Sequence, residues 1–412
     1  MIDRGRMYTN FGVIIRIITD VNSYINLSLL CAKMIYSPQY ILGAEKIYYI
    51  GGSMGKIVLE SGKRLSNIEL LRIVAMLMVI LGHYYVHGGI PEEAGLGVTK
   101  TIFQFLGSGS KIAVNIFVII SGYFLVTQKF NWMKVFRFLS CTYFWSLAIV
   151  VFSLFAFGVD NVDSTLMKKS LFPLTPLNWF ARAYLNLYLV FPVLNIIMRK
   201  LSKGKILALI GLLTLWFYGI PTWLNESKGG YLNSLFMFSD MYLMGACIRV
   251  YGNEKLMRRL KVTGFLGMAV IWLSIVGFDY ESLKDSDYTA LAMSFPHSGA
   301  NFFVLLVALG IFAVFKDITV PSNGSLNKVA KTTFGVYLIH DNALIVPWLW
   351  NAVIRAYEFY GSPFLIVHMV FTAAGIFFVC AVLEYLRISY IERPMMNFVS
   401  AHKNRLFLQR NS

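Results

Sequence analysis

Arg72 and His83 stand eleven residues apart in NIELLRIVAMLMVILGHYYVHGG, Asn67 to Gly89, a stretch otherwise apolar enough for lipid. Each is costly in hydrocarbon, roughly 2.5–3.5 kcal/mol for a mid-span Arg on insertion scales. On a helix, eleven residues at ~100° each fall within roughly 20° of three full turns, so both side chains share one face, about 16 Å apart along the axis. Glu69 lies three residues before Arg72, and His87 four beyond His83, on that same face. An imidazole in a low-dielectric cleft suits general-base work, because its proton affinity can be set near neutrality. A guanidinium three turns away suits a phosphate-bearing ligand. The competing reading is an Arg that snorkels to headgroups or pairs with Glu69, and a His satisfied by a neighbouring helix. Four polar residues on one face favour a functional track.

Other apolar runs are interrupted too. Ser121, in Ser121-Gly122-Tyr123, reads as a nucleophile, as part of an acceptor path with Tyr123, or as small-residue helix packing, the commonest use of a Ser-Gly pair in a membrane helix. Arg182 has Trp179, Tyr184 and Tyr188 around it in sequence, which suits either an interfacial anchor or the binding of a sugar or its phosphate. His340-Asp341-Asn342 reads as an interhelical hydrogen-bond knot, or as part of a cavity in which Asp341 orients or charges a histidine. Asp240, mid-span, is expected to meet a cation, and Glu384 to pair with Arg387 at i+3. His297, His368 and His402 receive no role.

These residues need spans to position them. The 412 residues are 57% apolar and only 14% charged, and the mean hydropathy is +0.62. That excludes a disordered chain and argues against an ordinary soluble enzyme. The expectation is an all-α polytopic membrane protein of about ten transmembrane helices, near 68–87, 103–126, 136–158, 178–198, 205–222, 231–250, 262–280, 300–316, 333–353 and 363–388. The net charge of +16 sits in short loops between apolar runs, so topology explains it and no nucleic-acid partner is expected. Cations cluster in alternate loops: Lys129, Lys134 and Arg137, then Arg199 to Lys205, Arg249 to Lys261, and Lys316 to Lys331. The intervening loops hold most of the acids. That alternation predicts a multi-pass protein of the cytoplasmic membrane with both termini cytoplasmic. Cys31, Cys141, Cys247 and Cys380 lie far apart, which supports neither a zinc site nor a disulfide framework, and no metal is expected. Residues 1–62 read as an N-terminal extension without a secretory signal, either an interfacial helix or a poorly ordered segment, with Met54 an alternative start. Residues 63–395 form the membrane domain and 396–412 a basic cytoplasmic tail.

Four stretches in order carry a family resemblance: the Arg-x10-His pair, NIFVIISGYFL (Asn115–Leu125), NWFARAYLNLYLVFPVLN (Asn178–Asn195) and TTFGVYLIHDN (Thr332–Asn342). Together they resemble the integral-membrane acyltransferase 3 family, and the last two look most like its exopolysaccharide O-acetyltransferase branch. The resemblance implies an acyl-CoA donor, acetyl-CoA by this branch, on the cytoplasmic side. It implies an acceptor hydroxyl on an envelope or exported polysaccharide or a lipid-linked sugar. On that reading His83 deprotonates the hydroxyl or handles the acyl group, and Arg72 grips the donor. The family's Arg-x-x-Arg motif is matched by Lys134-Val-Phe-Arg137, where Lys keeps the charge and loses the bidentate fork. Ile391-Glu392-Arg393-Pro394 is similar to the family's closing motif, and Pro394 is expected to end the last helix. The alternative function is a transporter or flippase for a lipid-linked glycan, which buried Arg, His and Asp also suit, although no internal repeat is visible.

Overall fold

The computed structural model describes residues 65–89, 96–158, 162–170, 178–224 and 231–399. The expected extension, 1–62, and the tail beyond 399 lie outside the described residues. Among those described there is no strand. The helices are α1 Ser66–His87, α2 Val98–Leu125, α3 Trp132–Phe157, α4 Ser164–Ser170 and α5 Trp179–Lys200. There follow α6 Lys203–Leu224, α7 Tyr231–Tyr251, α8 Glu254–Glu281, α9 Asp287–His297 and α10 Phe302–Asp317. The last three are α11 Gly324–Ala330, α12 Thr333–His340 and α13 Leu365–Arg387.

Asparagines start many of these helices. The side chains of Asn131, Asn253, Asn301 and Asn323 each accept a first-turn backbone N–H, at α3, α8, α10 and α11 respectively. Asn178 precedes α5 in the same way but does not cap it; its amide is used elsewhere.

Among the described residues, eight stretches are long and apolar enough to cross a bilayer: α1, α2, α3, α5, α6, α8, the α9–α10 stretch Asp287–Asp317, and Leu365–Val399. The chain is therefore a multi-pass membrane protein. The difference from ten spans lies in two segments. The helix expected at 231–250 forms as α7, but Asp240 and Arg249 lower its apolarity, and it packs in the core with Met241, Tyr242, Leu243 and Ala246 buried. The segment expected at 333–353 is not one helix. It stops at His340, turns through Asp341, and resumes as a π-helical turn over Trp348–Ile354.

The last helix also differs from expectation. It runs through Pro394 to Val399, after a π turn at Ile388–Glu392 in which the Arg393 N–H reaches the Ile388 carbonyl. A wider turn just before the proline changes the carbonyl register that its ring would otherwise strike.

The centre of the bundle is α2, packed against α1 on one side and α7 on another. Small residues allow the approach. A Cβ at Gly82 would strike the Ser110 side chain, and one at Gly122 would strike the Tyr242 backbone. Outward faces carry Trp216, Trp223, Phe265, Phe371 and Phe378, all exposed, as a lipid-facing surface requires.

Candidate functional site

A cavity of about 840 Å³ runs among α1, α2, α3, α5, α12 and the end of α13. Its wall follows helical spacing. From α1 come Glu69, Arg72, Met76, Val79, His83, Val86 and His87, a single i, i+3, i+4 stripe. Facing it on α2 are Ser110, Lys111, Val114, Phe117 and Ser121. One cavity thus connects Arg72 to His83, about 16 Å apart by helical rise.

The two ends differ in chemistry. At the Arg72 end stand Lys134, Arg137, Lys331, Arg387 and Arg393, with Glu384 and Glu392 among them. Arg387 is held by Glu384 through two hydrogen bonds of 2.8 Å and by Glu392 at 2.5 Å. The Trp145 indole N–H donates to the same Glu384 carboxylate at 2.7 Å. Glu384 and Arg387 are both buried, so the expected i+3 pair is the centre of a buried network joining α3 to α13. Arg137 reaches Glu392 at 3.2 Å with half its side chain exposed. Cations outnumber carboxylates at this mouth, which suits it to phosphates.

The other end is a layer of imidazoles. The His340 Nδ1 lies 2.6 Å from the Val336 carbonyl, so in the neutral ring Nδ1 carries the proton and Nε2 accepts. That Nε2 is 2.9 Å from His83 Nδ1, which must therefore donate. The chain of two bonds leaves the lone pair of His83 on Nε2. Asp341 Oδ1 stands 3.6 Å from His83 Nδ1 and 3.8 Å from His87 Nε2. The Asp341 carbonyl accepts from the Asn178 amide at 2.9 Å, which ties the break after α12 to the start of α5. A fixed tautomer, a lone pair and a carboxylate beside the ring make His83 competent to take a proton and to carry the resulting charge.

His83, His87 and Asp341 also offer three ligand atoms within 4.8 Å of one another, a set that fits a divalent cation. The His83–His340 hydrogen bond competes with that use.

Of the residues singled out in the sequence, Glu69, Arg72, His83, His87, Ser121, Lys134, Arg137, Trp179, Tyr184, Asp341, Glu384, Arg387, Glu392 and Arg393 line the cavity. The others do not. His340 is fully buried behind His83 and acts through it. Asn342 is buried, its carbonyl side chain capping the Leu344 N–H. Tyr123 faces away: its hydroxyl accepts from Arg249 at 3.1 Å and its ring packs on Phe312. Tyr123 lies two positions after Ser121, about 200° of helix, so only one of them can face the cavity. The same arithmetic removes Arg182 from the aromatic wall, since it lies two residues from both Phe180 and Tyr184. Tyr188 leaves that cluster as well, packing on Phe130 and Phe191. Ser121 donates to the Phe117 carbonyl at 2.8 Å and meets the Tyr184 hydroxyl at 3.2 Å. Among the described residues Asp240 meets no cation; it accepts from Thr214 at 2.8 Å.

Lys111 is a further cation inside an apolar run, a signal in itself that the sequence carries. It lines the cavity, its Nζ 5.6 Å from the centre of the Trp179 ring.

No curated protein and no solved structure gives a significant match to the chain. The family model for the acyltransferase domain matches residues 65–385. That span opens one residue before α1 and closes inside α13, taking in every wall of the cavity except its last stretch, and by it the chain belongs to the acyltransferase 3 family: it is a membrane acyltransferase.

Proposed function

We propose that this chain transfers an acyl group, acetyl foremost, from acyl-CoA entering from the cytoplasm to a hydroxyl of an envelope or exported polysaccharide or of a lipid-linked sugar. The observation that carries this is one cavity with a cationic mouth at Arg72 and an imidazole with a free lone pair about three turns deeper. The positive-inside bias of the loops supports placing the cationic mouth in the cytoplasm of a cell whose inner membrane holds the protein. Arg72, Lys134 and Arg137 then grip donor phosphates, and a thioester carried past them into the cavity is drawn away from bulk water. His83 Nε2 takes the proton of the acceptor hydroxyl as its oxygen attacks the acyl carbon, and Asp341 stabilises the imidazolium. Trp179, Phe180 and Tyr184 give the acceptor side an aromatic wall, a surface on which a sugar ring can stack.

The test is the acyl-ester content of polysaccharide from cells making wild-type protein or His83→Ala. Ester should vanish in the variant while membrane insertion and protein level stay as they were. Wild-type ester levels in His83→Ala would refute the assignment. Lost export of an equally esterified polysaccharide would instead favour the transporter reading.

A further inference from the structure

Lys111 is the cavity's unexplained charge. Among the described residues it makes no hydrogen bond and no ion pair. Its one close partner is the Trp179 ring, 5.6 Å from Nζ. A cation–π contact stabilises a charge by less than a lysine costs within a membrane span on insertion scales. Packing on Trp179 therefore does not account for the ammonium. Asp341 interacts with it electrostatically, yet that carboxylate is closest to His83 and His87, at 3.6 and 3.8 Å.

The depth of Lys111 is set by the close approach of α1 and α2. Gly82 meets Ser110 where no Cβ fits between them. His83 and Lys111 are each the next residue after that contact, so they stand at one level, and both open into the cavity. Trp179 belongs to the same level, because Asn178 is bonded to the Asp341 carbonyl. The base, a cation without an ion-pair partner among the described residues and an aromatic wall thus converge on one point.

We propose that Lys111 is a catalytic residue that stabilises the oxyanion of the transfer, an inference that rests on the acyl-transfer reading above. The acceptor oxygen forms a bond to the acyl carbon as its proton passes to His83 Nε2. The carbonyl π pair moves onto the carbonyl oxygen, which becomes an anion facing the Lys111 ammonium. When that pair returns, the carbon–sulfur bond breaks, and the departing thiolate takes the proton from His83. The products are the ester and the free thiol, with no further reactant required. A positioned cation in a water-poor site strengthens its hold as charge develops on the oxygen, so it acts on the transition state rather than on substrate binding.

The test uses full-length protein in lipid nanodiscs, with acetyl-CoA as donor and mildly saponified polysaccharide from the producing cells as acceptor, following thiol release. Lys111→Met should lower kcat roughly 100-fold or more, leave both KM values within about threefold, and leave the thermal midpoint no lower than wild type. Lys111→Arg should recover at least about tenfold of the loss. A kcat within about threefold of wild type in Lys111→Met would overturn the proposal. A raised acceptor KM at unchanged kcat would also overturn it, assigning Lys111 to an anionic acceptor instead. Equal losses in both variants with lowered midpoints would make the residue structural. Wild-type protein that releases no thiol would sink the acyl-transfer reading and this assignment with it; failure of the Lys111 step alone leaves wild type active and His83→Ala dead.

Discussion

Replacing Asp341 by Asn removes one charge and almost no volume. The bond from the Asn178 side-chain amide to the Asp341 main-chain carbonyl does not depend on the Asp341 side chain, so the break after α12 should persist. What is lost is the carboxylate 3.6 Å from His83 Nδ1, with both side chains near 15% exposed. At an effective dielectric of about 20, a unit charge pair at that separation interacts by about 4–5 kcal/mol. That interaction exists only while His83 carries the transferred proton, so it belongs to the transition state. The amide dipole recovers part of it, leaving about 3 kcal/mol, or roughly 150-fold in kcat. An opposing effect comes from Lys111, whose charge Asp341 partly offsets; it is the smaller one, because Lys111 lies outside ion-pair range. The assay is thiol release from acetyl-CoA with saponified polysaccharide under saturating conditions. Asp341→Asn should lose kcat with little change in either KM. A kcat within about threefold of wild type, or a loss confined to KM, would refute the reasoning that Asp341 stabilises the His83 imidazolium.

Arg137→Gln should raise the KM for acetyl-CoA about tenfold and lower kcat much less, since Arg137 is half-exposed at the mouth and far along the cavity from His83; a purely kcat effect in steady-state kinetics would contradict its place on the donor. Glu384→Gln should destabilise the protein by about 2–3 kcal/mol, less than the ~3–5 of a fully broken buried pair, because Glu392 still holds Arg387. A thiol-reactive dye reads this directly, through the buried Cys141, Cys247 and Cys380. A melting midpoint equal to wild type would show that the network between α3 and α13 is not structural.

Helical periodicity made half of the site legible. The positions of Glu69, Arg72, His83 and His87 follow from ~100° per residue and from the cost of leaving any of them in lipid. Both rules are local. Arg182 and Tyr123 defeated the same logic when they were grouped by nearness in sequence rather than by face, for two residues along a helix turn a side chain most of the way round. Asp240 was expected to meet a cation because a buried carboxylate needs a partner, but a hydroxyl from α6 serves, and no pattern within α7 could have shown which helix lies opposite. Pro394 followed a sound rule about backbone geometry that a π turn set aside.

The break after His340 shows where local reading stops. Thr333 to Ile354 is apolar enough to count as a span, and HDN alone allowed either a knot or a cavity wall. The structure contains both, divided by residue: His340 is buried and fixes the tautomer of His83, Asp341 faces the cavity, and Asn342 caps the next turn. A backbone that leaves helical form inside a membrane must have its polar groups satisfied by protein. Asn178 meets part of that need, which is why it leaves α5 without the side-chain cap that asparagine provides at α3, α8, α10 and α11. The uncapped helix start is thus the counterpart of the interrupted span. The Asp341 N–H still reaches the Tyr337 carbonyl at 3.2 Å, so α12 carries Asp341 to the cavity wall before the chain turns away. His340 and Asp341 thus meet the same imidazole, one ring fixing which nitrogen of His83 is free and one carboxylate placed, on the proposed transfer, to stabilise the charge that nitrogen would take up.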